Sequence, residues 1–200
     1  MKLVAVSQRV DVYPDRNETR DALDQRLAAF LLVAGFLPVP TPNTLASRGA
    51  IDAWLEAIGP CALVISGGNN IGACGERDQT EIRLLDYAQR NDVPVLGICR
   101  GMQMMAVWAG AGLKAVTGHV RTRHQLEGKI TGDVNSYHDL ALTERPPRFD
   151  VLATSNDGEI EAIRHQDLSW EGWMWHPERE AVFACRDLER LKTLFQSRNP

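Results

Sequence analysis

Val93-Pro94-Val95-Leu96-Gly97-Ile98-Cys99-Arg100-Gly101-Met102-Gln103 decides how this chain is read. An apolar run of strand type leads straight into a helical pattern, Arg100–Ala109, and a cysteine stands at the junction between two glycines. Such a cysteine occupies a sharp strand-to-helix turn, where larger neighbours would collide. Its sulfur stands above the sheet near the positive end of a helix, the nucleophile-elbow arrangement with sulfur in place of oxygen. A helix N-terminus favours thiolate over thiol, so the position suits a reactive cysteine. The plainer alternative is a small buried cysteine beside a glycine, because most free cysteines are core residues.

A thiolate nucleophile needs a base, and the base needs a third group to orient it. Trp173-Met174-Trp175-His176-Pro177-Glu178 offers both. In a strand, Gly172, Met174 and His176 face one way while Trp173 and Trp175 face the other. Pro177 ends that strand with His176 at its tip, and Glu178 is free to turn back toward the imidazole. Cys99, His176 and Glu178 are therefore the catalytic candidates. The apolar segment Ala62-Leu63-Val64-Ile65 breaks into Ser66-Gly67-Gly68. A glycine pair lets a backbone N–H point into a cavity, so Gly68, with the N–H of Arg100, is the candidate oxyanion hole.

With these residues in view, the chain resembles the class I glutamine amidotransferases, and within them the γ-glutamyl hydrolases. The likeness rests on Gly97-x-Cys99-x-Gly101-x-Gln103, the Ser66-Gly67-Gly68 loop and the terminal His176-Pro177-Glu178. It extends to Arg77-Asp78-x-x-Glu81 and Val134-Asn135-Ser136-Tyr137-His138. The resemblance implies that Gly67, Gln103 and the loop Ser136, Tyr137, His138, Asp139 bind the γ-glutamyl group. Many relatives carry a second histidine where this chain has Asp139. The Ser7-Gln8-Arg9 opening and the length resemble hydrolases that act on γ-glutamyl-CDP-amidate in capsular phosphoramidate synthesis. The implied reaction releases L-glutamate through a γ-glutamyl thioester, with no metal and no organic cofactor. The alternative is a glutaminase subunit that delivers ammonia to a separate synthetase, and a non-catalytic binder on the same fold is the third.

Length and composition set bounds. Two hundred residues suit one domain spanning 1–200 with a sizeable core, without a fused synthetase. A net charge of −4 argues against nucleic acid as partner; the resemblance implies a small molecule, a γ-glutamyl amide that is nucleotide-linked in the more specific reading. No apolar run approaches membrane-spanning length, and the opening Met1–Ser7 reads as a first strand, too short for a signal peptide. Four cysteines show no metal spacing, and a catalytic thiol needs a reducing compartment, so the expected location is the cytoplasm. Cys61 and Cys185 adjoin apolar runs and are expected in the core; Cys74 is read as incidental.

Strand signals at Leu3–Ser7, Phe36–Val39, Ala62–Ile65 and Val93–Ile98 alternate with helical patterns at Asp21–Gly35, Arg48–Ile58 and Asp78–Asn91. The expected fold is α/β: a three-layer sandwich with a mostly parallel central sheet and helices on both faces. Shorter alternating runs at Lys129–Asn135, Val151–Ser155, Ile160–His165 and Gly172–His176 predict antiparallel additions in the C-terminal half, closed by a helix over Asp187–Gln196. Asp78-x-x-Glu81 reads as a capping box.

Arginines crowd the first segment. Arg9 directly follows the first strand, whose end lies on the elbow side of the sheet, and is a candidate substrate contact. Arg100, Arg121 and Arg123 would join it around an anionic substrate. Arg16, Arg20 and Arg26 read better as solvated partners of nearby acids. His119 and His124 are five residues apart, too wide for one helix face, and are not read as metal ligands. His165 reads as exposed.

Overall fold

The computed structural model describes residues 1–196. In chain order the first strands are β1 (Lys2–Val6), β2 (Arg9–Tyr13), β3 (Glu18–Ala22), β4 (Phe36–Pro40), β5 (Ala62–Ile65) and β6 (Val95–Ile98). The later ones are β7 (Leu113–Ala115), β8 (Val120–Gly128), β9 (Gly132–Tyr137), β10 (Leu140–Leu142), β11 (Phe149–Ser155), β12 (Ile160–His165) and β13 (Trp170–Trp173). The helices are α1 (Gln25–Val33), α2 (Thr44–Ser47), α3 (Ile51–Ile58), α4 (Gly75–Arg90), α5 (Arg100–Trp108) and α6 (Cys185–Gln196).

Nine strands make one sheet in the order β4-β1-β5-β6-β13-β12-β11-β8-β9. The half from β4 to β13 is parallel, and β12, β11, β8 and β9 continue it antiparallel. Because side chains alternate along a strand, β1, β5 and β6 feed two cores. Val4, Val6, Val64, Leu96 and Ile98 pack on one face with Phe30 and Leu31 of α1 and Leu191 and Phe195 of α6. Ala5, Leu63, Ile65 and Val95 pack on the other with Leu55 of α3, Leu84 of α4 and Met102 and Met105 of α5. The expected layering and mostly parallel sheet are present.

Local differences have physical causes. The segment after β1 is a hairpin, β2 paired with β3, whose turn closes at Asn17 in the left-handed conformation (φ 49°). The expected helix over Arg48–Ile58 begins three residues later, as α3 at Ile51, because Gly49 (φ +67°) breaks the chain between it and α2, which ends at Ser47. Helix α4 starts three residues before Asp78, which therefore does not cap it; the Asp78 carboxylate accepts the Gly72 N–H at 2.8 Å. The run Lys129–Asn135 is a turn followed by β9, with the N–H groups of Lys129 and Ile130 both donating to the Leu152 carbonyl. Sheet pairing of the expected Gly172–His176 strand ends at Trp173. The alternation nonetheless persists: Trp173 and Trp175 stack at 5.4 Å in one core while Met174 enters the other. Cys185 is exposed at the start of α6, and Cys61 packs against the core. His165 is buried, its Nδ1 accepting the N–H groups of Asp167 and Leu168.

Among the described glycines, those at the junction of β6 and α5 include the closest approach. A Cβ on Gly101 would lie 1.9 Å from the Ile65 carbonyl oxygen, and one on Gly97 would lie 2.7 Å from the Gly101 carbonyl carbon. Neither obstacle is a side chain that can swing away. Gly101→Ala is expected to cost at least about 3 kcal/mol in urea unfolding, at the upper end of overpacking losses. Gly110→Ala, at φ +92° in open space, is expected to cost roughly 1 kcal/mol. Equal losses at the two sites would contradict this account of the junction.

Candidate active site

Cys99 stands between β6 and α5 with φ 51° and ψ −107°, a conformation that L residues rarely adopt. Its N–H donates to the Trp173 carbonyl at 2.7 Å, and its carbonyl accepts the Gln103 N–H at 3.1 Å. The strain is thus held by β13 on one side and the first turn of α5 on the other. As the first residue of α5, Arg100 has an N–H with no partner within the helix, beside the sulfur.

Strand β13 lies next to β6, and three residues beyond its end stands His176. Asn135 of β9 grips the backbone of His176 from both sides: its Oδ1 accepts the His176 N–H at 3.0 Å, and its Nδ2 donates to the His176 carbonyl at 2.8 Å. His176 Nδ1 is 2.6 Å from Glu178 Oε1, and the imidazole faces the same small lobe as Cys99. Burial alone would push this imidazole's pKa down. The Glu178 charge and hydrogen bond, together with the nearby Cys99, outweigh it and raise the pKa to about 9. The imidazolium is the favoured form at neutral pH.

The Ser66–Gly68 loop fits closely around these groups. A Cβ on Gly67 would come within 2.7 Å of His176 Cε1, and Gly68, at φ +117°, lies against Arg9 and Arg77. Underneath, Arg77 donates to the carbonyls of Ser66 and Gly67 at 2.8 and 2.9 Å. It also pairs with the fully buried Glu81 at 2.9 Å. The guanidinium of Arg100 turns the same way and pairs with Glu81 and Asp78. Arg100 thus borders the small lobe beside Cys99, as the sequence suggests, while its guanidinium is committed to these two carboxylates.

The cleft has two lobes that share Gly68, His176 and Arg179. The smaller, about 110 Å³, contains Cys99, Gln103, Tyr137, His138 and Asp139. The larger, about 280 Å³, is bordered by Arg9, Asp11, Asp24, Leu27 and Gly67. The Tyr137 ring meets the His176 ring edge-on at 5.8 Å. Gln103 borders the small lobe, and its Nε2 donates to the Leu140 carbonyl at 2.9 Å. Ser136 does not reach the cleft: its hydroxyl donates to the His119 carbonyl at 2.7 Å. The His138 ring is directed into a buried group with His119 and His124. Those two histidines, five apart in sequence, do meet: their ring centroids are 4.3 Å apart.

The remaining arginines divide by partner. Arg20 pairs with Glu18 at 2.6 Å, and Arg123 pairs with Asp133 and Glu180 on an exposed surface, away from the cleft lining. Arg26 is not a solvated partner of nearby acids. It donates to the backbone carbonyls of Glu178 (2.7 Å) and Glu180, fixing the segment that presents Glu178. Arg179, unnoticed in the sequence, borders both lobes with its guanidinium 4.8 Å above the Tyr137 ring. Asn135 was visible only as part of a family likeness; the backbone clamp it makes joins elements 41 residues apart and leaves no local signal.

Known proteins carry the same arrangement of chain. Among curated relatives, a γ-glutamyl-CDP-amidate hydrolase of Campylobacter jejuni is 30% identical over 125 residues, covering 60% of this chain and 62% of that one. The chain thus aligns with less than two thirds of that relative's length. A glutamine-hydrolyzing GMP synthase subunit of Methanobrevibacter smithii is 28% identical over 158 residues, 72% of this chain and 76% of that one. A solved structure of a Thermoplasma acidophilum protein assigned to the same kind of GMP synthase subunit shares the fold at TM-score 0.74 and 20% identity, over 98% of this chain and 96% of that one. The family model for glutamine amidotransferase class-I matches residues 21–182. The chain belongs to the class I glutamine amidotransferase family.

Proposed function

We propose that the protein hydrolyses γ-glutamyl amides with Cys99 as nucleophile, His176 as acid and base, and Glu178 as the group that orients the imidazole. One observation carries this reading: a strained cysteine at a helix N-terminus shares a cleft lobe with a histidine that is held 2.6 Å from a buried carboxylate.

In the first step the Cys99 thiolate attacks the γ-carbonyl carbon. The N–H groups of Gly68 and Arg100 receive the developing oxyanion, each such donor being worth roughly 3–4 kcal/mol of barrier. The His176 imidazolium gives its proton to the departing nitrogen, the C–N bond breaks and a γ-glutamyl thioester remains. The neutral imidazole then takes a proton from water, hydroxide adds to the thioester, and glutamate leaves as the thiolate re-forms with His176 protonated. Glu178 stabilises the imidazolium at both stages.

The two lobes support a division of the substrate. The small lobe, holding Gln103, Tyr137 and Asp139, suits the glutamyl part; the large lobe, flanked by Arg9 and Arg179, suits an anionic leaving group. The most specific reading is hydrolysis of γ-glutamyl-CDP-amidate to glutamate and cytidine diphosphoramidate, supported by the Campylobacter relative and this pair of arginines. A second reading, a glutaminase subunit that passes ammonia to a separate synthetase, is supported by the GMP synthase relatives, one of which aligns over 72% of the chain.

Glutamate release by the purified protein separates the two. Strong turnover of a γ-glutamyl phosphoramidate nucleotide, with little from glutamine, is expected on the first reading. Activity toward glutamine that appears only with an added synthetase is expected on the second. Cys99→Ala is expected to retain the fold by circular dichroism and to lose all turnover; full activity in it would end the cysteine mechanism. The pH profile tests His176. Its pKa is raised on folding, so its ion pair stabilises the folded state fully below about pH 6.5, and that contribution is lost as pH rises through about 9. The alkaline limb of kcat/KM is expected near pH 9. In Glu178→Gln the raising charge is gone, so the limb moves to lower pH and the rate falls roughly 100-fold or more. An unmoved limb would remove Glu178 from the mechanism.

A further inference from the structure

On the antiparallel half of the sheet, four buried side chains outside the proposed catalytic group converge. His119 precedes β8, His124 lies within it, His138 follows β9, and Glu161 is on β12. One ligand-type atom from each lies within 4.8 Å of all the others. In a regular strand, residues five apart face opposite sides. The register of β8 against β9 slips between Val120 and Thr122, and Arg121 takes φ 57°. This bulge adds one residue on the β8 side, changes the phase of the alternation, and brings His119 and His124 to the same face.

The outer hydrogen bonds set which nitrogen of each ring faces inward. His119 Nε2 is 2.8 Å from Asp157 Oδ2, a carboxylate that accepts, so Nδ1 carries the lone pair of a neutral ring. His138 Nδ1 is 3.0 Å from the Leu140 carbonyl, which can only accept, so its Nε2 carries the lone pair. These two inward nitrogens are 3.3 Å apart, and Glu161 Oε1 is 3.3 Å from one and 3.7 Å from the other. His124 Nε2 and both oxygens of Glu161 are buried with no hydrogen-bond partner. Acceptors turned on one another without a donor call for a cation between them.

We propose that His119, His124, His138 and Glu161 form a tetrahedral site for a divalent transition-metal ion of the zinc class. Ligand atoms around such an ion, at bond lengths of about 2.0–2.2 Å, stand roughly 3.3–3.5 Å apart, close to the 3.3–3.7 Å among His119, His138 and Glu161, with His124 within 4.8 Å of each. Three imidazoles and one carboxylate disfavour magnesium and calcium, which take oxygen ligands. Asp157 and the Leu140 carbonyl hold two of the rings in the ligating tautomer, the usual outer support of such a site. Four protein ligands in a buried shell make it a closed, structural centre. Its functional reach comes through His138, whose chain neighbours Tyr137 and Asp139 border the small lobe of the cleft. The ion ties the ends of β8, β9 and β12 together and fixes that loop.

The test uses the full chain, stripped with a chelator and then titrated with zinc, with bound metal measured by elemental mass spectrometry and stability by thermal melting. Uptake of one ion per chain with a rise in Tm is expected. Cobalt in its place should give the visible absorption of a four-coordinate ion without a thiolate band. Cys99→Ala should bind one ion as the wild type does, whereas His124→Gln should lose it, and Asp157→Asn should weaken binding roughly 10–100-fold. Should His124→Gln fail to fold, the wild-type titration and the cobalt spectrum decide. No uptake and an unchanged Tm would overturn the proposal and leave a proton as the cation shared by these groups. Loss of the ion in Cys99→Ala would overturn it equally, by placing the metal at the cleft.

Discussion

A single carboxylate with no exposed surface, Glu81, lies beneath everything this site does. It accepts the Ser7 hydroxyl at 2.8 Å and faces the guanidinium groups of Arg77 and Arg100. Those three partners belong to the end of β1, to α4 and to the helix of the elbow. Arg77 in turn holds the Ser66 and Gly67 carbonyls, so the glycine loop, the cysteine helix and the first strand meet on one buried charge. Such a network contributes little net stability over an apolar core, but removing one member strands the others, at roughly 3–5 kcal/mol. Its value is positional: it fixes the loop that closes around His176.

The elbow was legible in the sequence because its constraint is steric and falls on residue type. Gly97 and Gly101 mark a place where a backbone comes within contact of another backbone, and only glycine meets that requirement. The alternation through Trp173, Met174 and Trp175 was equally readable, since it is a property of extended chain whether or not the sheet continues. The β2–β3 hairpin was hidden because its alternation is mostly charged and its outer residues, Val12 and Tyr13, remain exposed. Strand β8 was hidden for a related reason: it is almost wholly polar, and its buried positions are His124 and Leu126.

Charge was legible in amount but not in direction. Arg100, adjacent to the cysteine, borders the small lobe, but its guanidinium is directed to Glu81. Arg26, which looked like a surface residue, donates to the backbone that carries Glu178 across 152 positions of sequence. The difference lies in acceptors supplied by distant segments, which no local pattern records. The histidines illustrate the same limit more sharply. Spacing rules assume a regular helix or strand, and one bulge at Arg121 was enough to reverse the facing of everything before it.

The adjacency of β6 and β13 separates centre from margin. Cys99 and His176 stand beyond the ends of neighbouring parallel strands, locked by the Cys99 N–H to Trp173 carbonyl bond. The distance between the two side chains is therefore an internal dimension of the parallel half-sheet. The surfaces that would meet a leaving group come from elsewhere: the hairpin that carries Arg9, and the loop after β9. Either can lengthen, shorten or change its charges while the sulfur-to-imidazole spacing stays the same. A scaffold built this way leaves its margins open to change while its centre keeps one fixed geometry.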